Sequence, residues 1–128
     1  MADIKRKILL VEDEPDVLQA VADHLKRDDV EILKAFDGSE GLAVAEAERP
    51  DLVLLDLILP RMHGFEFLEK IKANQETSHI PVIVFSNLAG ATNFEKAKSL
   101  GAIAYFVKTD VKLDEVVQKI VEILSLTS

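Results

Sequence analysis

Four short apolar runs in the chain each stop at a polar residue. Ile8-Leu9-Leu10-Val11 runs into Glu12-Asp13, Leu52-Val53-Leu54-Leu55 into Asp56, Val82-Ile83-Val84-Phe85 into Ser86, and Tyr105-Phe106-Val107 into Lys108. Runs this short and this continuous suit parallel strands that helices cover on both faces. Val30 to Phe36 reads as a further strand, but Glu31 and Lys34 interrupt it, which suits a position at the sheet edge.

Helical spacing fills the segments between. After Pro15, which fits a first helical turn, Val17, Leu18, Val21, Ala22 and Leu25 form one apolar face. Asp37-Gly38 is a turn signal, and the alanine-rich stretch from Ser39 to Glu48 ends at Arg49-Pro50, because a residue before proline avoids the helical region. Gly64 opens a third helix with Phe65, Leu68 and Ile71 on its inner side, ending near Asn74. Thr92-Asn93-Phe94-Glu95 has the form of a capping box, with Gly101 as a left-handed stop. Leu113, Val116, Val117, Ile120, Val121 and Leu124 mark the last helix, with Asp110 a plausible cap.

Five strands alternating with five helices imply right-handed crossovers and a doubly wound α/β sheet. The expected architecture is a flavodoxin-like (βα)5 fold, a five-stranded parallel sheet in the order 2-1-3-4-5. That order puts the polar strand at an edge and sets the first and third strands side by side at the switch point, so Asp13 and Asp56 become neighbours. Ligands of such sheets sit outside the carboxyl ends of the strands at that point.

Composition narrows the possibilities. At 128 residues the chain fits one domain, expected over 1–128. Fifteen basic against 23 acidic side chains give a formal charge of -8, which repels nucleic acid and anionic membranes, so no direct nucleic-acid or membrane partner is expected. No cysteine is present, compatible with a reducing cytoplasm, and no apolar stretch approaches a bilayer span. The expected location is cytoplasmic.

The polar stops form one chemical set. Glu12, Asp13 and Asp56 packed together would carry up to three negative charges, which forces protonation or attracts cations. Oxygen-only ligands favour Mg²⁺. Lys108 adds a fixed cation, so a phosphoryl group arriving at Asp56 would find its charge shared, with the Ser86 hydroxyl as a further donor. Asp56, at the end of the central strand, is the natural nucleophile.

At these residues the chain resembles the receiver domain of two-component response regulators, the CheY-like family. The resemblance rests on Leu10-Val11-Glu12-Asp13-Glu14, on Asp56-Leu57-Ile58-Leu59-Pro60 followed by Gly64, on Ser86, and on Gly101-Ala102 leading to Tyr105 and Lys108. It implies that Asp56 accepts a phosphoryl group from a histidine on a sensor kinase or phosphotransfer protein. It also implies that Glu12, Asp13, Asp56 and the backbone carbonyl of Ile58 hold Mg²⁺, that Lys108 contacts the phosphoryl group, and that Ser86 and Tyr105 form a switch pair. In that switch the Ser86 hydroxyl is drawn towards the phosphoryl group, and the Tyr105 ring moves in from solvent. The surface of the fourth helix, fifth strand and fifth helix changes for a downstream protein. The first helix would dock the donor, and the protein would be a monomer or weak dimer and not a turnover enzyme.

The chain departs from the family pattern at several points. Glu12 replaces an aspartate, and its longer side chain still reaches a metal through water. Thr109 follows Lys108 where the family usually has a cis proline, and a cis bond to a non-proline residue costs ~3 kcal/mol. Either the loop carries that strain or Lys108 is aimed differently. Asn87 stands where a small residue is usual. Ile58 and Leu88, two residues beyond Asp56 and Ser86, flank the path of the hydrolytic water in the family, and two apolar side chains there imply a long-lived phosphorylated form; loop packing without kinetic effect is the plainer alternative.

Other readings compete. Asp13 before Pro15 could simply cap a helix, and Tyr105 could be a half-buried edge residue. A Mg²⁺-dependent phosphohydrolase with an aspartyl-phosphate intermediate would usually carry a second acid where Ile58 stands. An unphosphorylated receiver-like scaffold is the third reading, kept open by Thr109. His24, His63 and His79 lack ligand-like spacing and are expected at the surface.

Overall fold

Alternation along each strand divides the core into two layers. The computed structural model describes residues 5–126; residues 1–4 and 127–128 of the expected domain lie outside them. Strands β1 (Arg6–Val11), β2 (Val30–Ala35), β3 (Leu52–Leu55), β4 (Val82–Ser86) and β5 (Ala104–Val107) alternate with helices α1 (Pro15–His24), α2 (Gly38–Glu48), α3 (Gly64–Ala73), α4 (Ala91–Ser99) and α5 (Leu113–Leu124). All strand pairs are parallel, in the order β2-β1-β3-β4-β5, the expected flavodoxin-like arrangement.

Ile8, Leu10, Leu52, Leu54, Ile83 and Phe85 point to one face, where Leu18 and Val21 of α1 and Val116, Ile120 and Leu124 of α5 cover them. Their neighbours Leu9, Val11, Val53, Leu55, Val82 and Val84 point to the other, against Ala45 of α2, Phe67, Leu68 and Ile71 of α3, and Ala97 of α4. Burial on both faces is why these runs carry almost no polar residue. In β2, Glu31 and Lys34 are exposed, as an edge strand allows.

Two capping expectations need correction, and the alternative reading of Asp13 as a cap falls. Helix α4 begins at Ala91 behind Gly90, whose φ of 109° sets the entry, and no side chain caps it, so Thr92 and Glu95 lie inside the helix and form no box. Helix α5 begins behind Lys112, and Asp110 instead closes a turn by donating its N–H to the Val107 carbonyl at 2.9 Å. Helix α1 follows Glu14 without a side-chain cap, so Asp13 is free of that role. A related reciprocal pair occurs at α2: Asp37 Oδ1 accepts from Glu40 N at 2.8 Å, and Glu40 Oε1 accepts from the N–H of Phe36, one residue before the cap, at 2.8 Å.

Gly64 lets α3 begin directly against the end of β3. A Cβ there would lie 2.4 Å from Leu57 Cα and 2.7 Å from the Asp56 carbonyl oxygen, both backbone atoms that cannot swing away. Gly64→Ala is expected to destabilise the protein by about 2 kcal/mol, since overpacking outweighs the gain in helix propensity. An unshifted urea midpoint for this variant would contradict the packing.

Candidate functional site

The sheet register brings the polar stops together. Val11 pairs with both Ala35 and Leu55, and Asp56 N donates to the Val11 carbonyl at 3.0 Å, so Glu12 and Asp56 leave adjacent strands side by side. Ser86 ends β4 opposite Val107, and Lys108 N donates to the Ser86 carbonyl at 3.0 Å. Parallel strands all end on one edge, which is why residues 96 positions apart in sequence meet here.

Glu12 and Asp56 are buried, 5% and 4% exposed. Asp56 Oδ1 accepts from the Ser86 hydroxyl at 2.6 Å and from Ile58 N at 3.1 Å, while Asp56 Oδ2 accepts from Lys108 Nζ at 3.0 Å. Lys108 Nζ also pairs with Glu12 Oε1 at 2.7 Å and with Glu14 Oε1 at 3.5 Å. Lys108 therefore reaches the pocket, and no cis peptide bond occurs among the described residues. Neither alternative raised by Thr109 is needed: the 108–110 turn directs the ammonium inward.

Burial pushes the Glu12 carboxyl up to about 7 and the Asp56 charge adds to that rise, although the Lys108 contact pulls it back. For Lys108, burial alone would lower the ammonium, but its bonds to Glu12 and Asp56 outweigh that and hold it above its ordinary value. The site is a balance of like charges in which one cation is shared.

Glu12, Asp13, Glu14 and Asp56 each offer a carboxylate oxygen, and these oxygens lie within 4.8 Å of one another. Asp13 and Glu14 are exposed, so the cluster opens to solvent on that side. An all-oxygen donor set of this charge fits a hard divalent ion such as Mg²⁺. Glu14 is the member that sequence reasoning missed, although a third acid in succession was the available signal.

Ser86 also connects the pocket to its surroundings. Leu88 N donates to Ser86 Oγ at 3.3 Å, and the Leu88 carbonyl accepts from the Tyr105 hydroxyl at 2.5 Å. Tyr105 stands half-buried, edge-on to Phe94 at 4.7 Å between ring centres, so the ring is already packed over the β4–α4 loop in this conformation. Burial, with the Asp56 charge second, raises its hydroxyl above the usual range. Ile58 is 52% exposed at the rim, while Leu88 packs partly against the core. The three histidines are not buried, and His63 serves its own helix, since its Nδ1 accepts from Phe65 N at 3.2 Å and caps α3.

The family model for the response regulator receiver domain matches residues 8–121. Protein PilH of Pseudomonas aeruginosa is 34% identical over 102 residues, covering 80% of this chain and 84% of that one. Sporulation initiation phosphotransferase F of Bacillus subtilis is 30% identical over 125 residues, 98% of each chain. The crystal structure of the Mn²⁺-bound form of response regulator Rcp1 superposes with a TM-score of 0.81 at 30% identity, covering 91% of this chain and 92% of that one. Several other curated relatives are longer transcriptional regulators, of which this chain spans 42% to 51%.

Replacing Lys108 by methionine leaves Glu12 and Asp56 facing each other without a cation. Lys108→Met is expected to lower stability by about 3 kcal/mol in metal-free buffer, as when one partner of a buried ion pair is removed. Added Mg²⁺ should recover part of that loss, because an ion that binds only the folded form stabilises it. Urea melts with and without Mg²⁺ check both expectations, and a variant as stable as the parent would show that Lys108 is not the balancing charge.

Proposed function

The chain belongs to the response regulator receiver domain family, and we propose that it is a phosphorylation-controlled switch whose Asp56 accepts a phosphoryl group from a phosphohistidine donor. The observation that carries this reading is the environment of Asp56: a buried carboxylate held by a hydroxyl, a backbone N–H and an ammonium, beside three further acids. In the transfer an Asp56 carboxylate oxygen bonds to phosphorus as the phosphorus–nitrogen bond breaks, and the donor imidazole leaves with its electron pair. Lys108 remains protonated at neutral pH, so its charge can meet a phosphoryl oxygen, and the Ser86 hydroxyl is placed to donate to another.

Glu12, Asp13, Asp56 and the Ile58 carbonyl are the proposed holders of Mg²⁺, which when bound neutralises charge on the phosphoryl oxygens. The Mn²⁺-bound form of Rcp1 supports the choice of a divalent ion.

The hydrogen-bonded chain from Asp56 through Ser86 and Leu88 to Tyr105 supplies the proposed switch. A phosphoryl group on Asp56 competes for the Ser86 hydroxyl, and any movement of Ser86 is felt at Leu88 and then at the Tyr105 ring. The α4–β5–α5 surface is thus biased between two arrangements by as much as the phosphoryl group prefers one of them. The downstream partner is a protein, the donor is a sensor kinase or phosphotransfer protein docking on α1, and the whole chain, 1–128, is read as one cytoplasmic signalling domain and not a turnover enzyme. Among the described residues no helix is long and apolar enough to cross a membrane.

Incubation with a small acyl phosphate and Mg²⁺, followed by intact-mass measurement, is expected to add one alkali-labile phosphoryl group to the parent and none to Asp56→Asn. Equal labelling of the two, or continued turnover of a phosphomonoester, would overturn the assignment. Ile58 and Leu88 present apolar groups where a hydrolytic water would be oriented, so the phosphorylated form is expected to persist. Ile58→Asn with Leu88→Glu should shorten its lifetime about tenfold, equivalent to ~1.4 kcal/mol of barrier; phosphate-release assays on the labelled proteins measure this, and an unchanged rate would reduce both residues to loop packing.

A further inference from the structure

The loop from Asp56 to α3 is tied at its tip by two residues that touch no reacting group. At its base Gly64 N donates to the Leu57 carbonyl at 3.0 Å, and Ile58 N donates to Asp56 Oδ1 at 3.1 Å. At its tip Met62 N donates to the Pro60 carbonyl at 2.7 Å across Arg61. Arg61 has a φ of 64°, in the left-handed region that side chains resist, and tight three-residue turns of this hand are strained. Arg61 Nε donates to Asp37 Oδ2 at 2.8 Å, the oxygen that Asp37 does not use to cap α2. Beside it the loop is pressed onto α2: a Cβ on Gly38 would lie only 2.3 Å from the Met62 carbonyl oxygen.

Two effects oppose each other at Arg61. Backbone strain pulls the loop out of this shape, and an ion pair whose arginine is 71% exposed, and so largely screened, holds it in. Asp37, at 9% exposed, is the fixed end of the tie. A loop in such balance opens readily when the tie is lost.

We propose that Arg61 and Asp37 are a positioning pair for the Asp56 centre, holding the β3–α3 loop so that the Ile58 N–H stays aimed at Asp56 Oδ1, and that this sets the lifetime of phosphorylated Asp56. The proposal rests on the phosphoacceptor reading above. In hydrolysis a water oxygen bonds to phosphorus, the bond from phosphorus to the Asp56 oxygen breaks with its electron pair left on the carboxylate, and the water proton passes to phosphate or solvent. Charge therefore develops on the Asp56 carboxyl, where an aimed N–H is worth more in the transition state than in the phosphorylated ground state. Loosening the tie weakens that donor and slows hydrolysis.

The test compares Arg61→Gln, Asp37→Asn, the double variant and Arg61→Gly after labelling with acyl phosphate and Mg²⁺. Asparagine keeps the α2 cap, because its side-chain oxygen still accepts from Glu40 N. Arg61→Gly removes the pair and the strain together, so nothing pulls the loop out of shape and its phosphate loss should stay close to the parent's. Arg61→Gln, Asp37→Asn and the double variant are each expected to lose phosphate roughly three- to tenfold more slowly than the parent, since a donor is loosened and not deleted; the double variant should be no slower than the singles. Amide exchange at Ile58 in the unlabelled proteins should quicken in those three variants while that of Leu54 stays unchanged. In those three variants unaltered or faster phosphate loss, additive effects, or unaltered Ile58 exchange would each overturn the proposal, as would an Arg61→Gly protein slowed as much as Arg61→Gln. A parent that takes no label would overturn the phosphoacceptor reading and the lifetime claim with it, whereas failure of the tie alone shows in the exchange of Ile58, which needs no label.

Discussion

A single ammonium shared between two buried carboxylates organises this protein. Glu12 and Asp56 are brought to the same buried place by adjacent parallel strands, an arrangement of two carboxylates that is costly without a cation nearby. Lys108 supplies that cation from the end of β5, at the far side of β4, so its contacts also fasten the sheet across its polar edge. The arrangement is favourable only as a whole, which makes the pocket sensitive to any new charge that enters it.

Sensitivity alone would not make a switch. A second element is needed whose position depends on the pocket, and in the proposed switch the hydrogen bonds from Asp56 through Ser86 and Leu88 to the Tyr105 hydroxyl fill that role. The route is short, and it crosses from β3 to the face of α4, where Phe94 and Ile103 leave apolar surface exposed. On the other flank, Ile58 N and the Arg61–Asp37 pair fix the β3–α3 loop against α2. The Asp56 carboxyl is thus held from two sides by loops with different anchors, one leading to a surface and the other to a structural tie.

Much of this was legible in the linear chain because burial on both faces of a parallel sheet leaves continuous apolar runs, and each run stops where the backbone reaches the polar edge. The elements, the strand order and the meeting of Glu12, Asp13, Asp56, Ser86 and Lys108 follow from that one regularity. Helix caps were less legible. The Thr92–Glu95 spacing matches a capping box as well as Asp37–Glu40 does, yet only the second pair bonds backbone N–H groups at its helix start, since α4 starts one residue before Thr92 behind a glycine.

The sequence by itself determined which residues are buried and which end the strands, because hydrophobic periodicity and strand length are local properties of the chain. Tertiary structure alone decided how the charges are partnered: Lys108 contacts three carboxylates without a cis bond, Glu14 joins the acidic cluster, Tyr105 rests on the Leu88 carbonyl, and Arg61 accepts a left-handed backbone to reach Asp37. Such contacts depend on the direction and reach of side chains from separate loops, and no spacing rule along one strand or helix encodes them.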